Sequence, residues 1–110
     1  VLCTTDSMAL GVMTYARERG IDVPGELSVT GFDGIDAAQR LGLTTIVQPN
    51  KAKGAAAGHM LAELIDRDAA RGGRATAQPA EPPHKLLRTS FHPGRTVARP
   101  RGEQLLPGRG

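Results

Sequence analysis

Leu27-Ser28-Val29-Thr30-Gly31-Phe32-Asp33-Gly34 reads as a short strand that ends in a carboxylate and a turn. Its β-forming residues are nearly continuous, as expected of a strand covered on both faces. Two other runs share its form. Val1-Leu2-Cys3-Thr4-Thr5-Asp6 lies before it, and Leu43-Thr44-Thr45-Ile46-Val47-Gln48-Pro49 after it. A helical stretch separates the first two runs, and another follows the third. That order predicts an α/β fold, a parallel sheet with crossover helices. In such sheets ligands bind beyond the carboxyl ends of the strands. The polar tips therefore carry more functional meaning than the runs behind them.

Outward from the second strand, Ala9, Val12, Met13 and Ala16 fall at i, i+3, i+4 and i+7, one face of a helix over 7–19. Asp6 or Ser7 is the expected cap, since either side chain can accept from a free N–H of the first turn. Gly20 ends the helix, and Asp22-Val23-Pro24-Gly25 has the composition of a turn. Leu10 sits about 100° off the apolar face, at a rim where a partner could cover it. Residues 36–41 suit a short helical turn. Asn50 is placed as the cap of a second long helix over 51–71, striped by Ala57, Met60, Leu61, Leu64 and Ile65. Residues 72–83 have linker composition, 86–91 can form a last strand, and no fixed structure is expected after Pro93.

The chain has 110 residues and a formal charge of +3. Residues 1–92 hold ten basic and ten acidic side chains; residues 93–110 hold four arginines and one glutamate. The body is neutral, which argues against a nucleic-acid surface on it. The basic end, 93–110, is rich in Pro, Gly and Arg and reads as a disordered tail. The single Cys3 cannot form an internal disulfide and reads as a small core hydrophobe. No run is long and apolar enough to span a membrane. The first residues already read as a buried strand, so the fold is expected to begin upstream of Val1.

Three tips are candidate ligand groups. Asp33 can accept two hydrogen bonds from neighbouring hydroxyls; taken alone, it is more simply an Asp-Gly turn residue. Thr5 and Asp6 occupy the same edge, and one of them is expected to cap the helix. Gln48 can both donate and accept, which suits a hydroxyl-rich ligand. Convergence of three polar tips on adjacent strands favours the ligand reading. Catalytic and metal readings are weak: no H-x-x-x-H or C-x-x-C pair and no G-x-S-x-G elbow occurs. No glycine-rich phosphate loop occurs either, so no cofactor is implied. His59 reads as a helix-surface residue. Arg88 could meet an anion, but pairing with an acidic neighbour is simpler.

Asp6-Ser7-Met8-Ala9-Leu10-Gly11, Val23-Pro24 with Leu27-Ser28-Val29, Gly31-Phe32-Asp33, and Leu43-Thr44-Thr45-Ile46 with Gln48-Pro49 together resemble the lactose/galactose-repressor (LacI/GalR) family of bacterial transcription regulators. Leu86-Leu87-Arg88-Thr89-Ser90 resembles that family's closing strand. The likeness runs over residues 1–92. It implies part of a periplasmic-binding-protein type I fold, two α/β lobes with a cleft at their hinge. Residues 1–41 and 84–91 would belong to the C-terminal lobe. The strand 43–48 would cross the hinge, and helix 51–71 would pack on the other lobe. The resemblance carries ligand roles to Thr5, Asp33 and Gln48, a helix-start role to Asp6, and a dimer-interface position to Leu10. It also implies a small sugar or nucleoside-like effector, with a carbohydrate preferred, a homodimer, a cytoplasmic location, and operator DNA bound through a helix-turn-helix that nothing here resembles. Thr5 stands where the family often has Asn, and Gly34 where a second Asp is common. A periplasmic sugar-binding protein of a transporter would share the fold and cleft; an enzyme would need a base and nucleophile in reach, and none is seen.

Overall fold

A computed structural model describes residues 1–72 and 81–100. Its elements are α1 (Asp6–Glu18), α2 (Asp36–Arg40), β1 (Thr45–Val47), α3 (Asn50–Ala70) and β2 (Ser90–His92). The chain divides into two compact units. One is built from Val1–Gln48 and the chain from Thr89 on; the other is Pro49–Arg88.

The first unit is organised by a small mixed sheet. Single parallel bridges join Leu2 to Thr30, Thr30 to Thr44 and Asp33 to Val47. The three expected parallel runs therefore lie side by side, with the run ending at Asp33 in the middle. Cys3 N–H donates to Thr30 O (2.9 Å) on one edge of that run, and Gly31 N–H donates to Thr44 O (3.0 Å) on the other. β2 then adds antiparallel to β1, in the register Thr45–His92, Ile46–Phe91 and Val47–Ser90. The last strand is shorter and later than 86–91. Its register explains this: Ser90 already faces Val47, beyond which the partner chain turns at Gln48-Pro49 and offers residues 86–89 no ladder.

The helices α1 and α2 supply the core with Ala9 and Ala38, which pack with Val29 and Leu43 from the sheet; all four are fully buried. Val12, Met13, Leu10, Val23, Leu27 and Ile35 border that cluster. Each helix stops on a Schellman turn that hands the chain to the sheet. After α1, Gly20 (φ 69°) lets Ile21 N–H reach Ala16 O. After α2, Gly42 (φ 76°) lets Leu43 N–H reach Ala38 O. The expectation of cover on both faces of the central run does not hold among the described residues. Phe32 is exposed, and with Leu2, Thr30, Ile46 and Phe91 it lines an open concavity of about 480 Å³ on the face away from α1.

The stretch after Pro93 is a correction. Residues 93–98 are tied to the sheet. Thr96 is buried, and its carbonyl accepts from Val29 N–H (2.8 Å). Its hydroxyl accepts from Thr44 N–H (2.9 Å) and donates to Val29 O (2.7 Å). Arg95 N–H donates to Gly42 O (2.7 Å), and Ala98 N–H to Ser28 Oγ (3.1 Å). The segment supplies partners that Val29 and Thr44 would otherwise lack. Residues 101–110 of the expected basic tail lie outside the described residues, as do 73–80 of the expected linker.

In the second unit α3 runs for 21 residues and buries none of its side chains among the described residues. Asn50 is its first helical residue, not its cap. Pro49 holds the cap position without a side-chain bond, and its carbonyl accepts from Lys53 N–H (2.8 Å). Leu61, Leu64 and Ile65 of the stripe are exposed. No helix among the described residues is long and apolar enough to cross a membrane.

Candidate functional site

The carboxyl ends of the three parallel runs are knitted together at one edge. Asp6 N–H donates to Phe32 O (2.8 Å), Asp33 N–H to Ile46 O (2.9 Å), and Gln48 N–H to Asp33 O (3.0 Å). Sheet hydrogen bonding thus brings the Asp6, Asp33 and Gln48 positions to adjacent places, as the strand order requires.

Asp33 and Gln48 meet directly. Gln48 Nε2 donates to Asp33 Oδ1 at 2.8 Å, and both residues are half-buried. Asp33 has φ 122°, the one positive φ at a non-glycine position among the described residues. Such a backbone costs about 1–3 kcal/mol and persists only where the surroundings over-determine it. Here the surroundings are the two backbone bonds to Ile46 and Gln48 and the side-chain bond to Gln48. The result is a carboxylate held at the sheet edge beside an amide that can donate and accept. That pair can engage adjacent hydroxyls of one small ligand.

Thr5 is at the same edge, but its hydroxyl is occupied in α1. It holds the N-cap position and accepts from Met8 N–H (3.3 Å). Of the residues expected to cap the helix, Thr5 takes the position, and Asp6 and Ser7 do not. Thr5 has the extended backbone a cap needs (φ −142°, ψ 154°), whereas Asp6 is already helical.

Asp6 does something else. It is completely buried. Its Oδ2 accepts from Gly34 N–H (2.7 Å) and Ile35 N–H (2.8 Å), and its Oδ1 accepts from Thr45 Oγ1 (2.5 Å). A buried carboxylate is tolerable only with such partners. Gly31 leaves room for it: a Cβ there would collide with Asp6 Oδ1 and with Leu43. Gln39 adds a further brace, donating from Nε2 to Gly34 O (2.7 Å).

Thr45 and Thr96 were not among the residues singled out from sequence. Thr45 had a usable signal. Leu43 and Thr45 share a strand face, and a threonine beside a core leucine needs a hydroxyl partner. Thr96, in a Pro- and Arg-rich stretch, had none. Leu10 is half-buried against the core and lines a groove of about 320 Å³ with Met13, Ile21, Val23 and Leu41. His59 and Arg88 are exposed and lie in the other unit. Among the described residues no group of three or more His, Cys, Asp or Glu is placed to hold a metal ion.

Residues 1–97 match the model of the periplasmic binding protein-like domain. The chain is 45% identical over 98 residues to the HTH-type transcriptional regulator IpsA of Corynebacterium glutamicum, covering 89% of this chain and 24% of that protein. Among solved structures it resembles a LacI-family regulator from Corynebacterium glutamicum (TM-score 0.70, 46% identity, 89% of this chain, 26% of the other). It also resembles a LacI-family regulator from Lactobacillus casei with bound sucrose (TM-score 0.67, 26% identity, 88% and 32%). The chain spans about a quarter of the length of the first of these relatives. With the parallel runs, the crossover helix and the ordered motifs all in place, the chain belongs to the periplasmic binding protein-like domain family, in the form carried by LacI/GalR-type regulators.

Proposed function

We propose that this chain is the effector-sensing part of a bacterial transcriptional repressor. On this reading Asp33 and Gln48 contact the hydroxyls of a small saccharide-like effector, and Thr5 borders it. The observation that carries the reading is Asp33, held at φ 122° with its carboxylate on Gln48 at the carboxyl edge of the sheet. Structure of that cost at a ligand edge is what a binding site explains and a plain turn does not. Sucrose in the Lactobacillus casei regulator supports a carbohydrate class. The regulator names of the relatives support a repressor over a transporter component.

The whole protein would act as a cytoplasmic homodimer with Leu10 at the rim of the dimer contact. Operator DNA would be held by a helix-turn-helix outside these residues. Residues 1–41 and the strand Ser90–His92 are assigned to one lobe and helix 51–71 to the other; the expected membership of 84–88 in the first lobe is not kept, since those residues fall with the helix in the second unit. The effector must prefer one lobe arrangement, since equal affinity for both would shift nothing.

Calorimetric titration of the whole regulator with sucrose and a panel of monosaccharides and polyols tests this. A hydrogen bond to a charged group contributes about 1.5–3 kcal/mol, so Asp33→Ala should weaken the binding sugar about tenfold to a hundredfold. Gln48→Ala should weaken it less. Unchanged affinity in both folded variants removes the site assignment.

A further inference from the structure

The geometry points to Asp6 as the positioning residue of the effector site, an inference that rests on the reading of Asp33 and Gln48 given above. The three hydrogen bonds of the Asp6 carboxylate go to Gly34, Ile35 and Thr45, not to those side chains. The carboxylate acts on the backbone that carries one of them. Its Oδ2 holds the N–H groups of Gly34 and Ile35, the two residues that follow Asp33. Its Oδ1 is fixed by the hydroxyl of Thr45, on the strand that leads to Gln48. One buried carboxylate therefore anchors the start of α1, the loop after the central run, and the third run at once.

That anchoring meets a specific need. Asp33 sits in a backbone region that L-residues avoid, and relaxation of the following peptide would let φ move toward negative values and swing the carboxylate off Gln48. Two charge-assisted bonds to the next two amides oppose the relaxation, and bonds of this type are roughly twice as strong as neutral ones. Three separate sequence motifs meet at this atom pair. Asp6 ends the first run, Gly31 of the second gives it room, and Thr45 of the third orients it. Gly31 is two residues before Asp33, and Thr45 three before Gln48, so each motif carries both a ligand-edge residue and a residue that serves Asp6.

A ligand-free spectroscopic reading separates positioning from mere support. The whole regulator is labelled with nitrogen-labelled glutamine, and the Gln48 side-chain NH2 resonance is assigned by its loss in Gln48→Ala. Asp33→Ala should move that resonance away from its wild-type position. Asp6→Ala should shift it in the same direction in a folded sample, and Asp6→Asn, which keeps one acceptor oxygen, should restore it in part. Ile35→Pro guards against a failure to fold. Ile35 already has φ −67°, which suits proline, and the substitution removes one of the two N–H groups that Asp6 holds. It should produce a shift in the same direction.

A folded Asp6→Ala or Ile35→Pro protein with the wild-type Gln48 resonance overturns the positioning role and leaves the effector reading standing. A Gln48 resonance that does not respond to Asp33→Ala removes the Asp33–Gln48 pair, and both readings fall with it.

Discussion

Thr96 shows how much one hydroxyl can hold. It is buried, and its Oγ1 serves Thr44 N–H and Val29 O together. Thr96→Val keeps the shape and removes both bonds, leaving a buried donor and a buried acceptor without this partner. Such losses cost about 1–3 kcal/mol. The expected outcome is a lower denaturant midpoint in Thr96→Val with Thr96→Ser close to wild type; equal midpoints for the valine and serine variants would contradict it. Legibility at this scale follows chemistry. Asp33 and Gln48 were readable because a polar residue ending an apolar run must lie at the sheet edge. Asp6 was readable as important but not in its role, because sequence does not show that Thr5 takes the cap and frees the carboxylate. Thr96 was unreadable, since its partners lie 52 and 67 residues away and its neighbours have the composition of a tail.

At the scale of elements, α1 is the best specified. Its apolar spacing, its acidic first turn and its glycine stop agree with one another, and agreement of local signals is what makes a segment legible. The cap is the one detail that shifted. Replacing an N-cap threonine by alanine costs about 1 kcal/mol. Thr5→Ala should lower stability by about that amount, with Thr5→Ser near neutral in thermal or chemical unfolding. A Thr5→Ala protein as stable as wild type would show that Met8 N–H is satisfied by solvent. The strands were harder to bound. A strand's limits depend on its neighbour's limits, so the register with β1 moved the last strand to Ser90–His92. α3 is different again. Its length and Ala-rich stripe were readable, but helix propensity alone leaves such a segment marginal in water. Its exposed Leu61, Leu64 and Ile65 point to cover that these residues do not supply.

At the scale of the whole molecule, the two faces of the sheet differ in kind. One is closed by α1 and α2 over Ala9, Val29, Ala38 and Leu43. The other presents Leu2 at 88% exposure and Phe91 at 64%, around the concavity that also includes Phe32 and Ile46. Contiguous apolar surface of this kind marks an interaction face or an aggregation liability. The chain also has a thin, aliphatic core for a domain of its size. When produced alone, the 110-residue chain should therefore self-associate at micromolar concentration and bind a hydrophobic dye. Leu2→Lys with Phe91→Lys, both on the open face and outside the buried cluster, should reduce both signals without loss of helix content. Size-exclusion chromatography and circular dichroism read the two outcomes. A monomer with cooperative melting in the unsubstituted chain would show that the closed face alone is enough to hold the unit together, and that the open face is tolerated in water.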